Sequence, residues 1–371
     1  MQEIDLKALS TLVLWAAFGL SVLFGAVMQR THFCTMGAVA DIVNMRDWTR
    51  MRMWVMAVGV SMIGFNLMVA FGWVDAGNTI YGGPRFIWLS ALVGGAMFGF
   101  GMVLASGCGS KTWVRVGGGS LKSLVVFIVL GVAAFATLKG ITAVARVATV
   151  DAVAITLATG QDLPSLLAAG TGAAKTSLAA VLGLAIGGAL IAWSLARAEG
   201  RSADNLLAGL GVGAIIAAVW WVSGRLGHVA EDPNTLQEAF VATNSRRMES
   251  LSFVAPVAYA LDWLMFFSDR AKLLTIGIVS VAGVVVGSAA YAVLTKSFRW
   301  EGFRDAQDTA NHLIGATLMG VGGVTALGCT VGQGLSGLST LSLGSFVAVA
   351  AIIAGAVAAL RYQMWRIERT A

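Results

Sequence analysis

The chain has 371 residues, of which 57% are hydrophobic and only 12% charged, with a formal net charge of +6. A soluble domain carries about 25% charged residues, so a water-soluble globular enzyme is excluded. The basic residues flank apolar runs, which makes them topology signals rather than a nucleic-acid surface. The three cysteines, Cys34, Cys108 and Cys329, form no C-x-x-C pair and are joined by only three histidines. That excludes a disulfide framework, argues against a zinc site, and leaves no cofactor expected.

Apolar windows of helix-spanning length recur along the chain, and about 20 residues of helix cross a bilayer core. They lack the alternation of a membrane β-barrel. The expected fold is therefore an all-α integral membrane protein. In chain order the spans fall at about 10–28, 53–73, 88–106, 120–138, 177–196, 204–223, 273–294, 312–327 and 340–360. The first is too long for a signal-peptide core and lacks a positive leader, so it reads as a span. The apolar segment 250–267 is interrupted by Pro256 and Asp262 and reads as interfacial or re-entrant.

With nine spans, the short basic segments all fall on one side. They hold Arg30, Arg46, Arg50 and Arg52, then Lys111, Arg115 and Lys122, then Arg197 and Arg201, then Lys296, Arg299 and Arg304, and finally Arg361, Arg366 and Arg369. The positive-inside rule makes that side cytoplasmic, with a periplasmic N-terminus and a cytoplasmic C-terminus.

The stretch "LVGGAMFGFGMVLASGC" (92–108) aligns without a gap on "LIGATLMGVGGVTALGC" (313–329). Gly94, Gly99, Gly101, Gly107 and Cys108 match Gly315, Gly320, Gly322, Gly328 and Cys329. The two copies lie on spans of opposite direction, so the chain reads as one polytopic domain, 1–371, in two inverted halves. The first half is about 1–140, the connecting helix about 177–196, and the second half about 204–371. Inverted repeats mark transporters whose sites lie where the halves meet. The first cysteine, in "VMQRTHFC", finds no convincing partner in the second half.

The glycines inside the spans let helices approach closely. After each Gly-Cys the sequence changes character: "GCGSKTWVRVGGGS" (107–120) and "GCTVGQGLSGLS" (328–339) are too glycine-rich to continue as stable helix. They are expected to dip into the protein as re-entrant loops and meet at the centre, since irregular backbone at membrane depth must be buried or line a cavity. A serine follows each, placed to cap the next span. Neither segment contains Asp or Glu. Their polar groups are Lys111, Arg115, Thr330, Gln333, Ser336 and Ser339, and Gly109 and Gly332 follow the cysteines closely. Free N–H groups at a helix start suit an anion. A thiol is a soft, weak donor that fits a sulfur-bearing anion better than a hard oxyanion. The plainer reading is a buried thiol that only packs. For Cys34, beside Arg30 and His32, cationic neighbours also fit a reactive thiol, and both readings stand. No phosphate-binding loop motif is present, so ATP hydrolysis is not expected.

The stretches "FGAVMQRTHFCTMGA", "GFGMVLASGCGSKTWVRVGGGS" and "LMGVGGVTALGCTVGQGLSGLSTLS" resemble the three cysteine-bearing motifs of the YeeE/YedE sulfur-transport family. The resemblance spans nearly the whole chain. It implies a bacterial inner-membrane protein that takes up thiosulfate through an hourglass-like helical body. By that resemblance Cys34, Cys108 and Cys329 hand the anion across a narrow middle by hydrogen bonding, and Gly107 and Gly328 form the turns that present the thiols. Some relatives are proposed to move other sulfur or selenium species. Some come fused to, or are encoded beside, a small soluble sulfur carrier, a candidate partner on the cytoplasmic side. Two further alternatives stay open: a membrane sulfurtransferase that forms a Cys-persulfide, and a non-transporting subunit with structural cysteines.

Overall fold

The computed structural model describes residues 6–232 and 235–370. Its helices in chain order are α1 (Leu6–Thr31), α2 (Thr35–Met45), α3 (Thr49–Ala70), α4 (Trp88–Leu104), α5 (Gly109–Gly117), α6 (Leu121–Lys139) and α7 (Ile141–Ala148). Then follow α8 (Leu163–Thr171), α9 (Lys175–Leu195), α10 (Ala203–Trp221), α11 (Ala255–Met265), α12 (Ile276–Leu294), α13 (Ala306–Thr325) and α14 (Leu343–Thr370). Two ribbons of two strands each, Arg85–Phe86 with Ile155–Thr156 and His228–Val229 with Ala239–Phe240, close loops between them.

Eight helical stretches among the described residues are long and apolar enough to cross a membrane: α1 with α2, α3, α4 with α5, α6, α9, α10, α12 and α14. This is an all-α multi-pass membrane protein. The expected eighth span corresponds to α13, which falls outside that set because Gln307, Asp308, Asn311 and His312 occupy its first turns. Its later turns are nonetheless packed into the bundle, against α4 and α6. The segment expected to be interfacial or re-entrant contains α11, whose first turn holds Pro256, tolerated there because no N–H is needed. Asp262 is buried in it and paired with Lys272 and Lys139.

The helices pair off in a two-fold pattern. α1 packs on α12 as α3 packs on α10, and α4 on α14 as α6 on α13, while α4 crosses α13 and α1 crosses α10. The glycines decide how closely. A Cβ on Gly101 would come within 2.6 Å of the Gly315 carbonyl oxygen, and one on Gly315 within 2.6 Å of that of Gly101. Gly94 and Gly322 oppose each other's carbonyls at 2.7 and 2.6 Å by the same measure. Residue order ascends along one helix as it descends along the other, so the two repeat copies run antiparallel, main chain against main chain. Small residues at such crossings maximise packing where lipid offers no hydrophobic drive.

The basic segments gather at one end of the bundle. Arg30 pairs with Asp204 at 3.5 Å, Arg52 with Glu199 at 3.7 Å and Lys122 with Glu301 at 2.6 Å, tying the end of α1 to the start of α10, α3 to the end of α9, and α6 to the strap after α12. The ribbons lie at the opposite end.

Candidate functional site

Each cysteine stands at a break in a helix. Two residues before each one, the backbone turns left-handed: His32 at φ 53°, Ser106 at 55° and Leu327 at 57°. In both repeat copies the break has the same hydrogen bonds. Ser106 N–H donates to Val103 O and Gly107 N–H to Met102 O, just as Leu327 N–H donates to Val324 O and Gly328 N–H to Gly323 O. This is the Schellman closure of a helix C-terminus. The turn is thus made one residue earlier than Gly107 and Gly328, which both lie outside the left-handed region. For a residue with a Cβ that conformation costs roughly 1–2 kcal/mol, and Leu327 bears it with a bulky side chain.

The chain then restarts with the thiol as its cap. Gly37 N–H donates to Cys34 Sγ at 3.4 Å and Gly332 N–H to Cys329 Sγ at 3.4 Å. The equivalent amide, that of Lys111, faces Cys108 Sγ without reaching capping geometry, and Cys108 contacts Ser110 Oγ at 3.4 Å instead. All three sulfurs therefore sit over the N–H-rich start of a helical segment, where negative charge is favoured.

Both segments after the cysteines are helical, which corrects the expectation of non-helical loops. In the first, the glycines lie at the two ends of α5, and the interior "SKTWVRV" carries none, so the propensity cost falls where the helix needs it least. Gly117 lies against Ser288 and the Val285 carbonyl of α12 with no room for a side chain. In the second, Gly332–Gly337 forms a π-helical turn, a form that concentrates at functional sites. Ser120 caps α6 as expected, accepting from Ser123 N–H at 3.4 Å. Its counterpart Ser342 instead donates to the Tyr81 carbonyl at 2.9 Å.

The thiols converge. Those of Cys34 and Cys108 face each other, Thr330 turns its hydroxyl toward Cys108 and has no other partner, and Cys329 follows within electrostatic reach of Cys108. Exposure falls from 7% at Cys34 to 1% at Cys108 and 0% at Cys329, so among the described residues the row is most open at the Cys34 end. There a cavity of about 610 Å³ is lined by His32, Arg50, Lys111, Arg115 and Arg299, with Glu301 its lone carboxylate. Glu301 is engaged by Lys122, which holds its carboxyl below the ordinary value.

The far end is shut. The cavity that borders Leu327, Gln333 and Ser342 there measures about 20 Å³, room for about one water. Three buried polar atoms around it, Tyr81 OH, Gln333 Oε1 and Ser345 Oγ, have no hydrogen-bond partner among the described residues. Gln333 is anchored by its other end, Nε2 donating to Ala326 O.

Of the expected site residues, the structure gathers Cys34, Cys108, Cys329, Thr330 and Lys111 around the row, with Gly109 against the Phe253 carbonyl and Gly332 beside Ser252 and Tyr81. Gly328 packs on Gln333, while Gly107 looks toward Arg115 and Lys111. Sequence reasoning missed Arg50 and Arg299 as lining residues, because they read as topology charges, and Tyr81, which sits in a loop without any motif.

A sequence profile of the family described as sulphur transport matches residues 30–358, and so contains all three cysteines and both helix-break repeats. The chain belongs to that family. It is a membrane transporter of sulfur compounds and not an enzyme. Among its relatives, the thiosulfate transporter TsuA of Escherichia coli is 29% identical over 317 residues, covering 84% of each chain. The thiosulfate transporter TsuA of Spirochaeta thermophila is 26% identical over 373 residues, covering 92% of this chain and 97% of the other.

Proposed function

We propose that this chain imports thiosulfate across the bacterial inner membrane, passing it along Cys329, Cys108 and Cys34 to the wide cationic cavity and the cytoplasm. The observation that carries the reading is the row itself: three thiols, each at a helix start, with no carboxylate among them. A divalent anion meets N–H groups and positive charge there, and its terminal sulfur meets soft S–H donors. Contacts of this kind are weak, which suits conduction, because a solute held tightly does not leave. The names of both relatives support thiosulfate as the anion.

Clustering of the basic segments at the cavity end supports a cytoplasmic C-terminus and a periplasmic N-terminus. The two-fold contacts support two inverted halves, about 1–140 and 204–371, joined by a connecting helix. A small soluble sulfur carrier at the cytoplasmic mouth is the expected receiver.

The test is uptake of labelled thiosulfate into proteoliposomes by the wild type and by Cys34→Ala, Cys108→Ala and Cys329→Ala. Each variant loses uptake while keeping its size-exclusion profile, and excess sulfate competes poorly. Full uptake by all three variants sinks the reading.

A further inference from the structure

Four helices, α2, α3, α9 and α14, enclose a groove of about 560 Å³ that no ionisable side chain lines. Two of its lining residues, Trp48 and Trp193, are exposed and meet edge to face at 6.1 Å. The guanidinium of Arg52 lies 4.6 Å from the Trp193 ring. These tryptophans stand at the start of α3 and near the end of α9, beside the basic segments, where a membrane–water interface places such side chains.

Three of the walls share a pattern. On α2 the groove meets Val39, Ile42 and Val43, and Arg46 follows one turn on. On α9 it meets Leu190 and Trp193, and Arg197 follows. On α14 it meets Ile353 and Val357, and Arg361 follows. Steps of three and four residues hold one helix face, so each apolar wall is continued by an arginine at the basic end of the bundle. All three arginines are exposed, and among the described residues none has an ion pair or a side-chain hydrogen bond. The carboxylates near them in sequence are engaged: Asp41 by Arg50 at 3.3 Å, Asp47 by the N–H and hydroxyl of Thr49, and Glu199 by Arg52. Glu368 lies two turns beyond Arg361 on α14.

We propose that this groove binds an anionic phospholipid of the adjoining leaflet, its tails against α2, α3, α9 and α14 and its phosphate on Arg46, Arg197 and Arg361. Apolar walls that end in unpaired cations match a molecule with apolar tails and an anionic head, as do other basic sites between membrane helices. A neighbouring helix matches less well. Helix contacts in lipid favour small residues, and the groove is lined by Val, Ile, Leu, Met and Trp with no Gly, Ala, Ser or Thr. The site has a bearing on the thiol row, because α2 begins at Cys34, whose sulfur caps it. Bound tails brace the helix that presents this thiol. The site rests on the membrane-spanning fold and not on which anion is carried.

The test uses the full-length protein in nanodiscs of phosphatidylcholine with and without phosphatidylglycerol. Phosphatidylglycerol raises the melting temperature by about 5 °C, as a ligand of the folded state does, and slows amide exchange within 35–46 and at the start of α3. Native mass spectrometry shows it retained over phosphatidylcholine by about fivefold or more, or ~1 kcal/mol. The triple variant Arg46→Gln, Arg197→Gln, Arg361→Gln loses that preference, whereas Arg270→Gln, an exposed arginine outside the groove, keeps it. Val43→Trp, which fills the groove from α2, lowers retention of both lipids. Glycerol 3-phosphate, a phosphate without tails, shifts nothing. Equal retention of the two lipids by the wild type, or a triple variant that keeps the preference, overturns the proposal. So does protection confined to other segments. A Val43→Trp variant that retains lipid normally but loses a dimer formed by the wild type overturns it too, because a second copy would then be what fills the groove.

Discussion

The two Gly-Cys segments share a backbone and little else. Both end a helix with a left-handed residue and restart it under a thiol. The first then places Lys111 and Arg115 at the mouth of a 610 Å³ cavity, whereas the second is wholly buried, uncharged and coiled into a π-turn beside a 20 Å³ niche. The repeat therefore preserves the device that presents a sulfur, and leaves the surroundings free to differ. One copy borders the wide cavity and the other the narrow niche.

If the shared backbone is what matters, the largest effect comes from separating the two copies. Gly322→Val forces a side chain against the Gly94 carbonyl and removes the folded protein from size-exclusion profiles, while Gly302→Val, which has open space around it, does not. Next, Cys108→Ser and Cys329→Ser should lose uptake to a similar degree, at least about tenfold, or ~1.4 kcal/mol of barrier, because both hold equivalent places. A tenfold gap between them in proteoliposome flux would break the equivalence. Charge then tells the two apart. Lys111→Gln lowers flux severalfold at low salt and less at high salt, whereas Thr330→Val, in the neutral copy, lowers it without a salt dependence.

A fourth, smaller effect concerns pH. Burial pushes the Glu249 carboxyl above the ordinary range, against the pull of the Ser245 donors. The folded chain therefore holds a proton there more readily than the unfolded one, and thermal stability should rise slightly as pH falls through that raised value. Glu249→Gln flattens that trend in thermal melts. Smallest of all, Leu327→Gly relieves the left-handed strain and raises thermal stability by about 1 kcal/mol.

Much of this was readable in the sequence, and what was not had a physical cause. The spans followed from apolar run length, and the antiparallel crossing of α4 and α13 from a gapless glycine register. The third member of the set, Cys34, was invisible as a repeat because what it shares is a φ angle and a cap, and His32, Ser106 and Leu327 have no side-chain chemistry in common. Helix α5 was misread because glycines were counted without asking whether they lay inside it or at its ends. Arg50 and Arg299 looked like every other flanking arginine, since a linear string does not say which basic groups turn inward. Tyr81 reaches the site from a loop held by Ser342, and only the tertiary contact gives it away.

The glycine crossing between α4 and α13 has a mechanical side. Two helices keyed together largely through their own peptide groups leave little slack to take up, so this pair forms a stiff spine, and the helix breaks that lead into Cys108 and Cys329 hang from its two ends. Change of shape is then easier in the straps and short helices hung from that spine than in the spine itself.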